Sequence, residues 1–81
     1  MLVLARQIKA ARSLLGWEQY QLAVKAGVGI ATIRRIERMT DRINAQFETV
    51  ERIRRALECA GIEFIGQPNP GVCVRPDASD R

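Results

Sequence analysis

The stretch QYQLAVKAGVGIATIRRIE, Gln19 to Glu37, decides the fold of this chain. Leu22 and Ala23 mark the inward side of a short helix over Gln19 to Ala26. Gly27 then supplies a left-handed backbone position that stops a helix cleanly. A second helix resumes at about Ile30 and runs to Arg38. At 3.6 residues per turn it puts Ile33 and Ile36 on one face and Ala31, Arg34, Arg35 and Arg38 on the other. Ile30 falls on the border between the two faces. Gly29 takes the helix-start position, where glycine is tolerated at a cost of a few tenths of a kcal/mol against a side-chain cap.

Working outward, Leu4, Ile8, Ala11 and Leu15 form one buried helical stripe ended by Gly16, and Trp17 is placed to staple the start of the next helix against the core. Met39 to Ala45 has no sustained apolar period and reads as a loop. Phe47, Val50, Ile53, Leu57 and Ala60 recur at helical spacing, with Gly61 as a natural stop. Beyond it, Ile62 to Ile65 and Val72 to Arg75 are β-prone runs joined by the turn-rich GQPNPG. A lone two-stranded hairpin is unstable in water, so it must pack on the helices or on another copy. The expected organisation is a helical unit over 1–60, a hairpin over 61–76 serving dimerisation, and a loose tail over 77–81.

Composition narrows the function. A chain of 81 residues is marginal for burying a core unaided, which favours association with a second copy. Thirteen Lys and Arg against nine Asp and Glu give a net charge of +4, suited to a polyanion. Only Lys9 and Lys25 are lysines, and the arginine excess favours planar, bidentate contacts with phosphate or guanine. Histidine is absent and Cys59 and Cys73 have no CxxC partner, which leaves no metal-ligand set and no Cys/His nucleophile pair. One disulfide between those two cysteines is conceivable. The opening MLVLARQIKAAR is interrupted by charge too early for a secretory or membrane segment, so the expectation is a cytoplasmic protein with reduced thiols.

The spacing Gln19, Leu22, Ala23, Gly27, Val28, Ile33, Ile36, Glu37 resembles the helix-turn-helix of the lambda-repressor/Cro-like (XRE) family. The run RRALECAGIEFI also looks like short members that end in a strand pair. The resemblance implies a mainly α fold, a bundle of four to five helices with a C-terminal β-hairpin, and a sequence-specific regulator binding double-stranded DNA as a homodimer. It further implies that Arg12 and Glu37 form a salt bridge joining the first helix to the third, and that Gln19 touches a phosphate, where the bland reading is a polar residue at a helix start.

In such a protein the third helix reads bases, and its candidates are Ile30, Ala31, Thr32, Arg34 and Arg35. Here the chain departs from the family, because Gly29 replaces the usual Ser or Thr and Ile30 and Ala31 replace residues that are often polar. Ile30 and Ala31 suit thymine methyl groups, and Arg35 with Arg34 suits guanine O6 and N7; Ile30 is equally compatible with burial. Phosphate contacts are expected from Gln19, Tyr20, Gly29, Arg38 and Arg42. Arg52, Arg54 and Arg55, interleaved with Glu48, Glu51 and Glu58, read as a solvated, salt-bridged surface. Ile62, Phe64, Ile65, Val72 and Val74 are the expected dimer seam. No nucleophile has a base and no carboxylates pair, so no enzyme, cofactor or metal is expected. The rival reading is an antitoxin or antiactivator that binds a protein partner through Ile30, Ala31 and the apolar strands.

Overall fold

A computed structural model describes residues 2, 4–40, 42–66 and 69–75. The order is α1 Ala5–Leu15, α2 Gln19–Ala26, α3 Ile30–Glu37, α4 Phe47–Cys59, β1 Ile62–Ile65 and β2 Gly71–Val74. Among the described residues the helices number four, within the expected range. The expected tail, 77–81, lies outside the described residues, as does the last residue assigned to the hairpin.

The first two helices use the same devices at both ends. At their starts a glutamine reaches back, the Leu4 amide donating to Gln7 Oε1 at 2.8 Å and the Glu18 amide to Gln21 Oε1 at 2.7 Å. At their ends Gly16 and Gly27 both sit at φ 71°, a conformation open to glycine and strained for other residues. The chain then turns back, the Trp17 amide donating to Arg12 O at 2.9 Å and the Val28 amide to Ala23 O at 3.0 Å. These paired stops set α2 and α3 as two short rods joined by a three-residue turn.

One core joins all four helices and the hairpin. Ile8, Leu22, Ile33, Ile36, Ile53, Leu57 and Ile62 are its large, fully buried side chains, with Trp17, Val28 and Ile30 packed against it in part. Phe47 departs from the expected stripe and is 79% exposed. It is the first residue of α4 and, at 100° per residue, stands about 80° round the helix from Leu57.

The strands pair antiparallel with Ile62 opposite Val74 and Phe64 opposite Val72. Residues directly opposite share a face, so Ile62, Phe64, Val72 and Val74 all lie on the side turned to the helices. Ile62 and Phe64 are 0% and 8% exposed in the chain's own core, where each contributes roughly 1.5–3 kcal/mol by leaving water. Of the five residues expected at a dimer seam, Ile62 and Phe64 are buried within the chain, Val72 is half-buried, and Val74 and Ile65 are exposed, Ile65 alone of the five lying on the outer face. Of the two supports open to the hairpin, its own helices provide one.

Gln7 completes that attachment. It is only 4% exposed, and its Nε2 donates to Ile65 O at 3.2 Å and Gly71 O at 3.1 Å, capturing the carbonyls at the mouth of the hairpin from α1. At the other end the Arg75 amide donates to Gly61 O at 2.8 Å and its guanidinium to Glu58 O at 3.0 Å. The hairpin is fixed at both ends to helices. Cys59 and Cys73 are free thiols. Among the described residues no helix is long and apolar enough to cross a membrane, and no group of His, Cys, Asp or Glu is arranged to hold a metal ion.

Candidate nucleic-acid interface

The face of α3 that looks away from the core is built by helical periodicity. Ile33 and Ile36 are 1% and 0% exposed, which turns Ala31, Arg34, Arg35 and Arg38 to solvent. Arg34 and Arg35 have no acidic partner among the described residues. Thr32 is half-buried beside them, and Ile30 packs in part against the core, so only its rim is offered outward. Gly29 caps α3 at φ −71° with no side-chain hydrogen bond. A β-carbon there would come no closer than 4.0 Å to its nearest neighbour, Thr32 Oγ1, so the helix start is open to a close approach from outside.

A buried ionic clamp holds α3 at that angle. Arg12 Nε donates to Glu37 Oε2 and Arg12 Nη2 to Glu37 Oε1, both at 2.8 Å, a bidentate fork between α1 and α3. Gln19 Nε2 donates to Glu37 Oε1 at 3.0 Å, bringing the first residue of α2 into the same knot. The remaining Arg12 Nη1 donates to Trp17 O at 2.9 Å and fixes the α1–α2 turn. Hydrogen bonding to Glu37 raises the Arg12 pKa above the ordinary arginine value, outweighing desolvation, with the Glu37 and Glu18 charges adding to it. Glu37 is 3% exposed, so its charge is spent inside the molecule and does not oppose an anion outside.

The other residues expected to contact the backbone lie at helix ends and in the loop after α3. Gln19 and Tyr20 open α2, Tyr20 being exposed and Gln19 half-buried with its amide nitrogen engaged by Glu37. Arg38 follows α3 directly and is exposed, as is Arg42, whose backbone forms an isolated bridge with Leu4. On α4, Arg54 pairs with Glu51 and Glu58, while Arg52 donates to Glu48 Oε1 at 2.9 Å and to Gly27 O at 3.3 Å. These contacts match a salt-bridged surface.

Two cations that the sequence reading left aside join the site. Arg6 and Lys9 of α1 are exposed and line a cleft with Glu37, Arg38, Met39 and Thr40 at the far end of α3. Their spacing with Arg12, three residues at a time, was the signal that one side of α1 is basic.

Two helices joined by a glycine turn, the second presenting from a clamped position arginines with no acidic partner among the described residues, define a helix-turn-helix DNA-binding protein. A family model described as helix-turn-helix, of the XRE type, matches residues 8–64, more than half of the chain. The chain belongs to this XRE, Cro-like family of DNA-binding transcription regulators, a regulatory rather than an enzymatic family. No curated protein matches the chain.

Proposed function

We propose that the protein acts as a homodimer on a roughly palindromic operator, with α3 of each copy in the major groove. Arg35, with Arg34 beside it, donates to guanine O6 and N7; Ala31 and the exposed rim of Ile30 meet thymine methyl groups; Thr32 contacts either kind of base edge. Gln19, Tyr20, Gly29, Arg38 and Arg42 set the register on phosphates without reading sequence. Two recognition helices one DNA turn apart are separated by about 34 Å. The Cα extents of 31 × 30 × 19 Å suit that spacing for copies lying side by side. Occupancy of the site, its own promoter included, then represses or activates according to where the site lies.

The observation that carries this reading is the outward pair Arg34 and Arg35 on a helix held from behind by Ile33, Ile36 and Glu37. The protein-partner reading has less to work with. It draws on Ile30, Ala31 and the apolar strands, and of these Ile30 is half-buried and Ile62 and Phe64 are buried.

Selection of bound fragments from random duplexes, followed by gel-shift titration of the wild type and Arg35→Ala, tests the proposal. The expected result is a symmetric site, an affinity that falls steeply with salt, and a loss of about 1–3 kcal/mol in the variant with relaxed preference at one base pair per half-site. Equal binding by the two proteins removes Arg35 from the readout. Failure to select any sequence, with no salt-sensitive affinity, rejects the operator-binding role.

A further inference from the structure

We infer that the cleft between α1 and the end of α3, walled by Arg6, Lys9, Arg38 and Thr40, binds a backbone phosphate of the operator outside the stretch that α3 reads. The inference rests on the operator-binding reading and extends it to a helix that lies outside the helix-turn-helix.

The cleft encloses about 280 Å³, and its lining brings three cations together with one hydroxyl. None of Arg6, Lys9 and Arg38 has a hydrogen-bonded or ion-paired carboxylate among the described residues. Among the described residues the one carboxylate in the wall, Glu37, has both oxygens taken by Arg12 and one of them also by Gln19, so it neither neutralises the three cations nor repels a phosphate. The sequence adds Asp41 just beyond Thr40, against Arg42 next to it. The cationic excess stands.

Arg6 also occupies the first turn of α1, where the helix dipole disfavours a positive charge. A cation kept at that pole adds to the dipole in attracting an anion. Arg6 and Lys9 stand three residues apart, about 4.5 Å along α1 at 1.5 Å per residue. That length covers little more than one base-pair step of a strand at about 3.4 Å. Arg38 closes the gap between this row and the exposed face of α3, so the track is continuous with the phosphate contacts proposed for the helix-turn-helix.

The same lining would also attract free phosphate, and magnitude decides between the two sources. Exposed cations hold a free anion weakly at physiological ionic strength, where the screening length is about 8 Å. A phosphate carried by a duplex already docked on α3 arrives at high effective concentration. The backbone is the ligand that such an open site can retain.

The test compares wild type, Arg6→Gln, Lys9→Gln and the double variant on the selected operator and on an unrelated duplex across a salt series. Both side chains are exposed, so the variants keep the fold. The control is the pair Lys25→Gln with Arg55→Gln, which removes the same charge from a groove between α2 and α4. The expected result is a slope of log affinity against log salt shallower by about 0.9 for each lost contact, hence about 1.8 per protomer for the double variant. Operator and unrelated duplex weaken alike, the control pair keeps the wild-type slope, and Lys9→Glu lowers affinity further than Lys9→Gln. An unchanged slope in the double variant, or an equal change in the control pair, overturns the inference while operator binding by the wild type stands. Saturable binding of inorganic phosphate in the cleft without DNA, followed by amide shifts, also overturns it. Absence of salt-dependent DNA binding by the wild type itself removes the underlying reading and the inference with it.

Discussion

Arg12 on α1 and Glu37 at the end of α3 meet through two parallel hydrogen bonds of 2.8 Å, with side-chain exposures of 18% and 2%. A carboxylate that far from water is costly unless each oxygen finds a partner, and Arg12 with Gln19 supplies all of them. The pair therefore acts as a fixed joint, setting the tilt of α3 on α1 and the distance from α3 to the first turn of α2.

Removing one side of that joint leaves an uncompensated charge inside. Arg12→Ala is expected to lower unfolding free energy by about 3 kcal/mol in urea denaturation. Replacing both residues by methionine recovers most of that loss, because apolar groups of similar volume need no partner. DNA affinity tells the two roles apart: the double variant regains stability but not binding, since α3 has lost its bidentate anchor and Gln19 its acceptor. A double variant as unstable as Arg12→Ala would show that packing, not the buried charge, dominates the site.

Gly27 and Gly29 flank the same turn and answer oppositely to substitution. Gly27 has φ 71°, and a β-carbon there meets nothing within 4 Å, so Gly27→Ala costs only the left-handed strain, about 1–2 kcal/mol. Gly29 has φ −71° in the extended region and lacks a side-chain cap. Gly29→Ser gains a few tenths of a kcal/mol by accepting a free amide of the first turn. Thermal melts of the two variants moving in opposite directions would match the local geometry. Should Gly29→Ser also weaken DNA binding, the bare glycine serves the close approach rather than the fold.

What the sequence disclosed was mostly local. α2 ends where Gly27 predicts and α3 stops one residue short of Arg38, because apolar spacing and a left-handed glycine act within a single turn of chain. The hairpin was legible as two strands, but alternation says only that one face is covered and never by what. Gln7 shows the other limit: a glutamine beside an apolar stripe reads as surface until two carbonyls, 58 and 64 residues away, give it a reason to be buried. Arg6 and Lys9 show the same limit, since only the folded chain brings them beside Arg38.

The ion pairs on α4 predict where acid begins to loosen that helix. Hydrogen bonding to Arg54 holds the Glu51 carboxyl below the usual carboxylate range, outweighing desolvation, with the Arg54 and Arg55 charges helping. A folded-state pKa below the unfolded value contributes stability that is present above the unfolded value and lost as pH falls through the folded one. Carboxyl NMR titration should find Glu51 ionised below the pH at which it protonates in Arg54→Ala. The surface position keeps the gain small, and salt should reduce the difference. Identical midpoints in the two proteins would mean that the Arg54 contact does not persist in solution.

Ile62 and Phe64 fill the core, so a seam for the proposed dimer has Ile65 and Val74 left to it on the hairpin, or another exposed apolar side chain. Phe47 is the strongest replacement. It is a large aromatic, 79% exposed, on the first turn of α4 and reached from α3 through the loop that carries Arg38 and Arg42. An aromatic side chain of this size buried between two copies is worth roughly 1.5–3 kcal/mol per copy. Phe47→Lys is expected to shift the protein to monomer in sedimentation equilibrium while leaving its melting temperature at low concentration unchanged. Operator affinity then falls more steeply than single half-site affinity, since only the full site depends on the two copies being joined. A Phe47→Lys protein that still sediments as a dimer would move the seam to Ile65 and the outer strand face, and the matching Ile65→Lys variant would then separate the copies.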